Sequence, residues 1–250
     1  MDQGKGNMEE TVISIRNLHK SFGNNVVLKG FNLDLKRGEN LAVLGKSGSG
    51  KSVLIKCIIG LLAPDGGTIN VLGQSIPDLS QDELDRTRVR IGFLFQSNAL
   101  YDSMTVKENL EFPMRRHWLS ADEKKAEEKI AEALENVGLL HTLNMMPVEL
   151  SGGMRKRIAL ARTLILKPDI ILYDEPTTGL DPITAREIST LMNNIQKKYN
   201  TSSIIISHDM NCIKITADRI IILMNGRAYA EGTYDELVAS ADPEVKQFFD

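Results

Sequence analysis

The sequence predicts an α/β protein built on a parallel core sheet, and three observations carry that prediction. The short apolar run Leu41 to Leu44 leads straight into Gly45-Lys46-Ser47-Gly48-Ser49-Gly50-Lys51-Ser52 and then into a helix. Apolar runs at Ile170 to Tyr173, Ser203 to Ile206 and Ile220 to Leu223 alternate with helical stretches, as strands buried on both faces of a parallel sheet do. Between these two regions lies a charged, helix-rich segment that reads as an insert.

The elements follow in order. Val12, Ile13 and Ile15 begin a strand, and Phe31, Leu33 and Leu35 alternate as a half-buried strand before the turn Arg37-Gly38-Glu39. After the buried run Leu41 to Leu44, a helix is expected from Ser52 to about Leu62, closed by Pro64-Asp65-Gly66-Gly67. Ile91 to Phe95 form a strand that ends at Gln96. Ser80 with Glu83, Thr105 with Glu108 and Ser120 with Glu123 each fit a capping box, and Ala126, Ile130, Ala133, Leu134 and Val137 form one apolar stripe of a charged helix. Ser151-Gly152-Gly153 opens the apolar-periodic segment Ile158, Leu160, Ala161, Leu164, so a helix N-terminus with outward backbone N–H groups is expected there. The polar start, residues 1 to 10, is expected to be disordered.

Bulk properties narrow the function. The 250 residues are 42% hydrophobic and 25% charged, and 30 basic against 33 acidic residues leave a net charge of −3, so no overall field favours nucleic acid. No apolar run reaches the roughly 18 residues a spanning helix needs, and the polar residues 1 to 10 lack the apolar stretch expected of a secretory signal. Cys57 and Cys212 are isolated, without metal or redox spacing, and a reducing cytosol is the expected setting.

Two motifs carry chemistry. Residues 45–52 fit GxxxxGK[ST] between a strand and a helix: the glycines let backbone N–H groups wrap phosphates, Lys51 reaches the outer phosphate oxygens, and the Ser52 hydroxyl suits Mg²⁺. Ile170-Ile171-Leu172-Tyr173-Asp174-Glu175 is an apolar strand ending in two carboxylates, the shape of a Walker B segment, with Asp174 toward Mg²⁺ and Glu175 toward an attacking water. Gln96 and His208 follow strands and point the same way along the chain's logic, each within reach of a γ-phosphate at the sheet's carboxyl edge.

The ordered set of phosphate loop, Gln96, Leu150-Ser151-Gly152-Gly153-Met154, Asp174-Glu175, Gly179-Leu180-Asp181 and His208 resembles the nucleotide-binding subunits of ABC transporters across about residues 11 to 235. That resemblance implies a P-loop NTPase cassette with an N-terminal antiparallel β subdomain and a helical insert carrying the signature motif. Its implied organisation is one ATPase domain over 11–250, with core at about 11–96 and 161–235, insert at about 97–160 and a tail at about 236–250. It also implies ATP and Mg²⁺ as ligands and assigns roles. Phe22 stacks on adenine; Gly45 to Val53 cradle phosphates; Ser52, Gln96 and Asp174 hold the metal; Gln96 couples the nucleotide to a permease; Glu175 is the general base; His208 senses the γ-phosphate; Asp181 lies in a dimer contact. Ser151, Gly152, Gly153 and Met154 serve the partner subunit's ATP in a head-to-tail homodimer. Independently, the signature helix belongs to the insert and Lys51 to the core, so one chain has difficulty folding both onto a single nucleotide.

Within the family, LSGGMRKRIALAR, GKSGSGKSV and Phe95 to Tyr101 with Met104-Thr105-Val106 and Asn109 to Pro113 look like the ATPases of MCE-type lipid transporters, the maintenance-of-lipid-asymmetry group. The ending Asp242 to Phe249 also resembles that group's tail. The implied partners are integral-membrane permease subunits and an MCE-domain lipid-binding protein, with the chain peripheral on the cytoplasmic face of the inner membrane. Leu100, Tyr101, Met104, Leu110, Phe112 and Met114 are the expected permease-docking patch, about half of them also expected to be insert core. Three residues depart from the commonest pattern: Val53 replaces a threonine, Met154 a glutamine, and Lys46, read as a solvated loop charge, a proline or arginine. The alternatives are the ATPase of a small-solute importer and a non-transport ABC ATPase.

Overall fold

The computed structural model describes residues 10–116 and 123–249. The expected disordered start, save Glu10, and Ser120 of the third capping box lie outside the described residues. The chain runs β1 (Thr11–Phe22), β2 (Asn25–Lys36), β3 (Asn40–Leu44), α1 (Lys51–Ile58), β4 (Gly66–Val71), β5 (Gln74–Ser75), α2 (Gln81–Val89), β6 (Ile91–Leu94), α3 (Val106–Arg116) and α4 (Glu123–Asn136). It continues α5 (Gly152–Leu164), β7 (Ile170–Asp174), α6 (Pro182–Tyr199), β8 (Ser202–Ile206), α7 (Met210–Thr216), β9 (Arg219–Met224), β10 (Arg227–Gly232), α8 (Tyr234–Val238) and α9 (Pro243–Lys246).

Two sheets form, each for a reason visible in the chain. A four-stranded sheet orders β2-β1-β4-β5 with antiparallel neighbours, since short turns join β1 to β2 and β4 to β5. A six-stranded sheet orders β10-β9-β3-β8-β7-β6, parallel from β9 through β6 with β10 antiparallel at its edge. All five residues of β3 and of β8 are buried, as strands covered on both faces must be.

Three apolar clusters divide the interior. One fills the space between the two sheets, joining Ile13, Phe31 and Leu35 to Leu41, Leu54 and Ile58. A second lies on the opposite face of the parallel sheet, where Leu160, Ile188 and Met192 cover Ile171, Tyr173 and Ile205. The third belongs to the helical segment and unites Leu110, Met114, Ile130, Leu134 and Ile158. Because α5 contributes to both the second and third clusters, it stitches the helical segment to the sheet.

Helix ends follow side-chain chemistry. Ser80 and Glu83 cap α2 reciprocally, and Thr105 and Glu108 do the same before α3. Thr233 and Glu236, which fit the same pattern, cap α8. Helix α1 ends at Ile58, short of the expected Leu62: Gly60 turns left-handed at φ 67°, and the amides of Leu61 and Leu62 both donate to the Lys56 carbonyl, closing the helix early.

Asp169 holds the N-terminal edge of the parallel sheet. Its carboxylate accepts from Arg90 Nε at 2.8 Å and faces Arg37 Nη1 at 3.5 Å, while its backbone carbonyl accepts from Ser202 N–H. Hydrogen bonding to Arg90 first, then the nearby positive charges, holds this carboxyl below its usual range. The stabilisation is therefore present above the ordinary carboxylate pKa and is lost as pH falls through the lowered folded value. Asp169→Asn should cost about 1 kcal/mol near pH 7, and the difference from the wild type should shrink as the pH falls below the ordinary carboxylate range. Urea unfolding across that pH series measures it.

Candidate functional site

Strand order decides which residues meet. Strands β3, β8, β7 and β6 lie side by side and parallel, so the segments leaving their carboxyl ends converge along one edge. Those segments are the phosphate loop after β3, His208 after β8, Asp174 and Glu175 at the end of β7, and Gln96 after β6. Register keeps them level, with Ile206 opposite both Val43 and Asp174, and Leu94 opposite Tyr173.

There they wall a cavity of about 650 Å³. Of the residues expected from the sequence, Phe22, Gly45, Ser47 through Val53, Gln96, Asp174, Glu175 and His208 line it. Val27 and Ile206 complete the wall, and no chemical motif marks either in the sequence. Phe22 is 48% exposed at the rim, with Lys20 Nζ 5.6 Å from its ring centroid, and its aromatic ring is suited to stacking on a planar base.

The loop is shaped to present donors. Gly50 caps α1 from a left-handed conformation, φ 108°, with no side chain satisfying the helix's first N–H groups. A Cβ there would also sit 2.8 Å from Val27, so only glycine fits. The open N–H groups and the helix dipole make a phosphate cradle. Lys51 Nζ donates to the carbonyls of Gly45 at 2.7 Å and Lys46 at 3.1 Å. Burial pulls the Lys51 pKa down, and Glu175 and Asp174 oppose that pull. Burial and the neighbouring Glu175 push Asp174 up in turn.

Glu175 is set for a specific task. It takes a left-handed backbone, φ 52°, and its N–H donates to the Ile206 carbonyl at 2.8 Å. Its carboxylate Oε2 lies 2.8 Å from His208 Nδ1 and accepts from Thr178 Oγ1 at 3.1 Å. Thr178 is a contact that motif reading passes over, although it stands three residues after Glu175 in the same turn. Ser52 Oγ, the Gln96 amide oxygen and the Asp174 carboxylate are hard oxygen donors on one cavity and suit Mg²⁺. Among the described residues no group of three His, Cys, Asp or Glu side chains could hold a metal.

Two sets of expected residues stand elsewhere. Lys46 does not line the cavity: it is exposed, as a solvated loop charge should be, and its Nζ also donates to Gln247 Oε1 at 2.8 Å, which ties the loop to the carboxy-terminal segment. Only its backbone carbonyl serves the loop, through Lys51. Ser151, Gly152, Gly153 and Met154 are likewise absent from the cavity wall. Ser151 caps α5, accepting from Met154 N–H at 3.2 Å, which leaves its own hydroxyl proton free to donate. Gly153 lies so close to α6 that a Cβ would come 2.7 Å from Thr184 Cγ2. Met154 packs against the cluster of the helical segment. The chain thus carries one phosphate cradle inside a cavity and a second helix start outside it.

The expected docking patch divides as anticipated. Leu110 and Met114 are fully buried, whereas Tyr101 and Phe112 are 42% and 38% exposed and meet with ring centroids 4.8 Å apart and planes tilted by 51°. Among the described residues no helix is long and apolar enough to cross a membrane.

Comparisons with known proteins agree with this geometry. The family model described as ABC transporter matches residues 28–178. The chain is 40% identical over 241 residues to the intermembrane phospholipid transport system ATP-binding protein MlaF of Haemophilus influenzae, covering 96% of this chain and 91% of that protein. It is 36% identical to the methionine import ATP-binding protein MetN of Campylobacter jejuni, covering 95% of this chain and 75% of that one. The dimeric post-hydrolysis structure of the ATP-binding cassette MJ0796 bound to ADP and Pi superposes with a TM-score of 0.79 at 32% identity, covering 88% of this chain and 98% of that one.

Replacing Lys51 by Ala removes the only ammonium on the cavity wall among the described residues. ATP affinity, measured by calorimetry on the full chain, should fall at least about tenfold, equivalent to about 1.4 kcal/mol. Thermal stability should hold or rise, since a partly desolvated cation is removed.

Proposed function

Because the chain belongs to the ABC transporter family and is one of its ATPases, we propose that it powers the movement of phospholipid or a related lipid between membranes of a bacterial envelope. The observation that carries the lipid reading is the 40% identity to MlaF of Haemophilus influenzae across nearly the full length of both chains. Similarity to the methionine import protein MetN runs lower, at 36% and over 75% of that chain, and keeps small-solute import as the second reading.

In this reading residues 11–250 act as one ATPase domain. ATP lies in the cavity with its base on Phe22 and its phosphates against Gly45 to Val53. Lys51 would turn from the loop carbonyls to the β and γ oxygens, and Ser52, Gln96 and Asp174 would hold Mg²⁺, which would supply charge neutralisation at the phosphates. Glu175 orients and deprotonates water, while His208, already 2.8 Å from Glu175, holds the γ-phosphate side of the site. Val53 contributes a backbone N–H and no hydroxyl.

The exposed start of α5 supports a head-to-tail homodimer. Ser151, Gly152 and Gly153 lie off their own chain's cavity, and the donors they present would reach the γ-phosphate held by a second copy. Closure then places donors on both sides of the developing charge, and loss of the γ-phosphate lets the halves part. Permease subunits dock at the exposed Tyr101 and Phe112, an MCE-domain protein completes the complex, and the chain sits on the cytoplasmic face of the membrane through the permease.

Three measurements test the reading. Glu175→Gln should lower ATP turnover about 100-fold or more while ATP binding persists and a closed dimer accumulates in size-exclusion chromatography with ATP. Near-native turnover would remove Glu175 from its role. Tyr101→Ala should weaken co-purification with the permease by roughly 30-fold, about 2 kcal/mol, without changing the chain's own ATP affinity. Purification of the complex through this chain should bring down phospholipid; recovery of a soluble amino acid binding protein instead would select the importer reading.

A further inference from the structure

The segment between β6 and α3 carries Gln96 into the nucleotide cavity and Tyr101 to the surface, yet residues 96 to 104 form no helix or strand. Its backbone carbonyls must therefore find other donors. They find them on two side chains of α5 and one of α3. Lys156 Nζ donates to the Gln96 carbonyl at 3.1 Å. Arg162 Nη2 and Nη1 donate to the carbonyls of Asn98 at 3.1 Å and Ala99 at 2.8 Å. Asn109 Nδ2 donates to the carbonyls of Tyr101 and Met104, each at 3.1 Å, and Asn109 Oδ1 accepts from Tyr101 N–H at 2.8 Å.

The segment is also held in a conformation it would not choose. Asn98 and Ala99 are consecutive non-glycine residues with left-handed backbones, φ 63° and 51°, and these are the two residues whose carbonyls Arg162 grips. The Arg162 guanidinium lies 5.9 Å from the centroid of the Tyr101 ring. Lys156 is 2% exposed and holds one carbonyl, a costly group to bury for packing alone. Both cations stand on the helix whose first residues are Gly152 and Gly153, and a 13-residue helix is a rod of roughly 20 Å.

We propose that Lys156 and Arg162 are positioning residues that lock the Gln96 segment to the signature helix. Gln96, which faces this chain's own nucleotide, and Ser151 to Gly153, which face away from it, then move as one body. Tyr101 is fastened to the same body through Asn109 and Arg162, so force applied at the docking patch reaches the start of α5 without passing through the phosphate loop. Turnover needs both ends of this body aligned, whereas nucleotide capture by the phosphate loop needs neither. This inference rests on the reading that the signature residues serve a second copy's nucleotide.

The test uses the full chain and four variants, with steady-state turnover against ATP concentration, ATP affinity in chelator, and melting temperature. Lys156→Met and Arg162→Gln should lower kcat tenfold or more with KM and ATP affinity within twofold of the wild type. Lys156→Met should melt no lower than the wild type, and Lys156→Arg, which restores a donor to the Gln96 carbonyl, should recover at least a third of kcat. Values of kcat within twofold of the wild type, a loss that tracks melting temperature, or equal loss in Lys156→Arg and Lys156→Met would overturn the proposal. Where Arg162→Gln does not fold, the two Lys156 variants decide. Ser151→Arg separates the underlying reading: if it leaves turnover unchanged, the signature role fails and this proposal with it. If it abolishes turnover while the Lys156 variants keep theirs, the positioning role alone fails.

Discussion

The level register of four parallel strands is the constraint on which the rest of the site depends. Strands β3, β8, β7 and β6 are paired so that Val43, Ile206 and Asp174 stand abreast and Leu94 sits opposite Tyr173. A shift of one residue in any strand would invert its buried faces and withdraw its terminal polar group from the cavity. In β3 and β8 that shift would drive Leu41, Val43, Ile204 and Ile206, packed in the cluster between the sheets, into the space on the opposite face that Ala42, Leu44 and Ile205 fill, and close packing resists it. Packing on both sides of the sheet therefore does chemical work at its edge: it fixes where Gly45, His208, Asp174 and Gln96 emerge.

Charge balance at that edge follows from the same placement. Lys51 sits between its own loop's carbonyls and the two carboxylates of β7, with burial weakening its positive charge and Asp174 and Glu175 restoring it. Asp174 feels the reverse pair of influences. A phosphate entering the cradle would bring negative charge to Lys51, and a divalent cation held by Asp174 would offset the repulsion that the neighbouring carboxylates create. The cavity is thus electrostatically incomplete in a way that a metal-bound nucleotide fits.

Much of this was legible in the chain because each motif straddles a change of periodicity. Leu41 to Leu44 ends in glycines and Ile170 to Tyr173 ends in carboxylates, so strand, site and chemistry could be read from adjacent residues. The parallel sheet, the strand-rich start and the helical segment follow from the same patterns, and α2 and the start of α3 stand where their capping boxes put them. What the chain hid was contact between residues far apart in sequence. Val27 and Ile206 are ordinary strand residues until the fold brings them to the cavity, and nothing local marks Lys46 as the partner of Gln247, 201 residues away. The early end of α1 was hidden for a different reason: the apolar residues Ile59, Leu61 and Leu62 continue a helical pattern, but Gly60 takes a left-handed turn that lets two amides share one carbonyl.

The separation between cavity and signature helix carries the largest consequence for mechanism. Ser151 spends its oxygen on capping α5, and Gly153 leaves no room for a side chain against Thr184, so the start of this helix packs closely on α6 and off the cavity of its own phosphate loop. Glu175, meanwhile, is engaged by His208 and Thr178 from a left-handed backbone, a geometry that keeps its carboxylate in place without a nucleotide. Lys51 and Glu175 thus stand in defined contacts on the cavity wall, while Ser151, Gly152 and Gly153 lie off it. Under the proposed head-to-tail dimer, completing the site would need a second copy rather than a refolding of the chain, and such an arrangement would couple hydrolysis to the approach and departure of whole subunits.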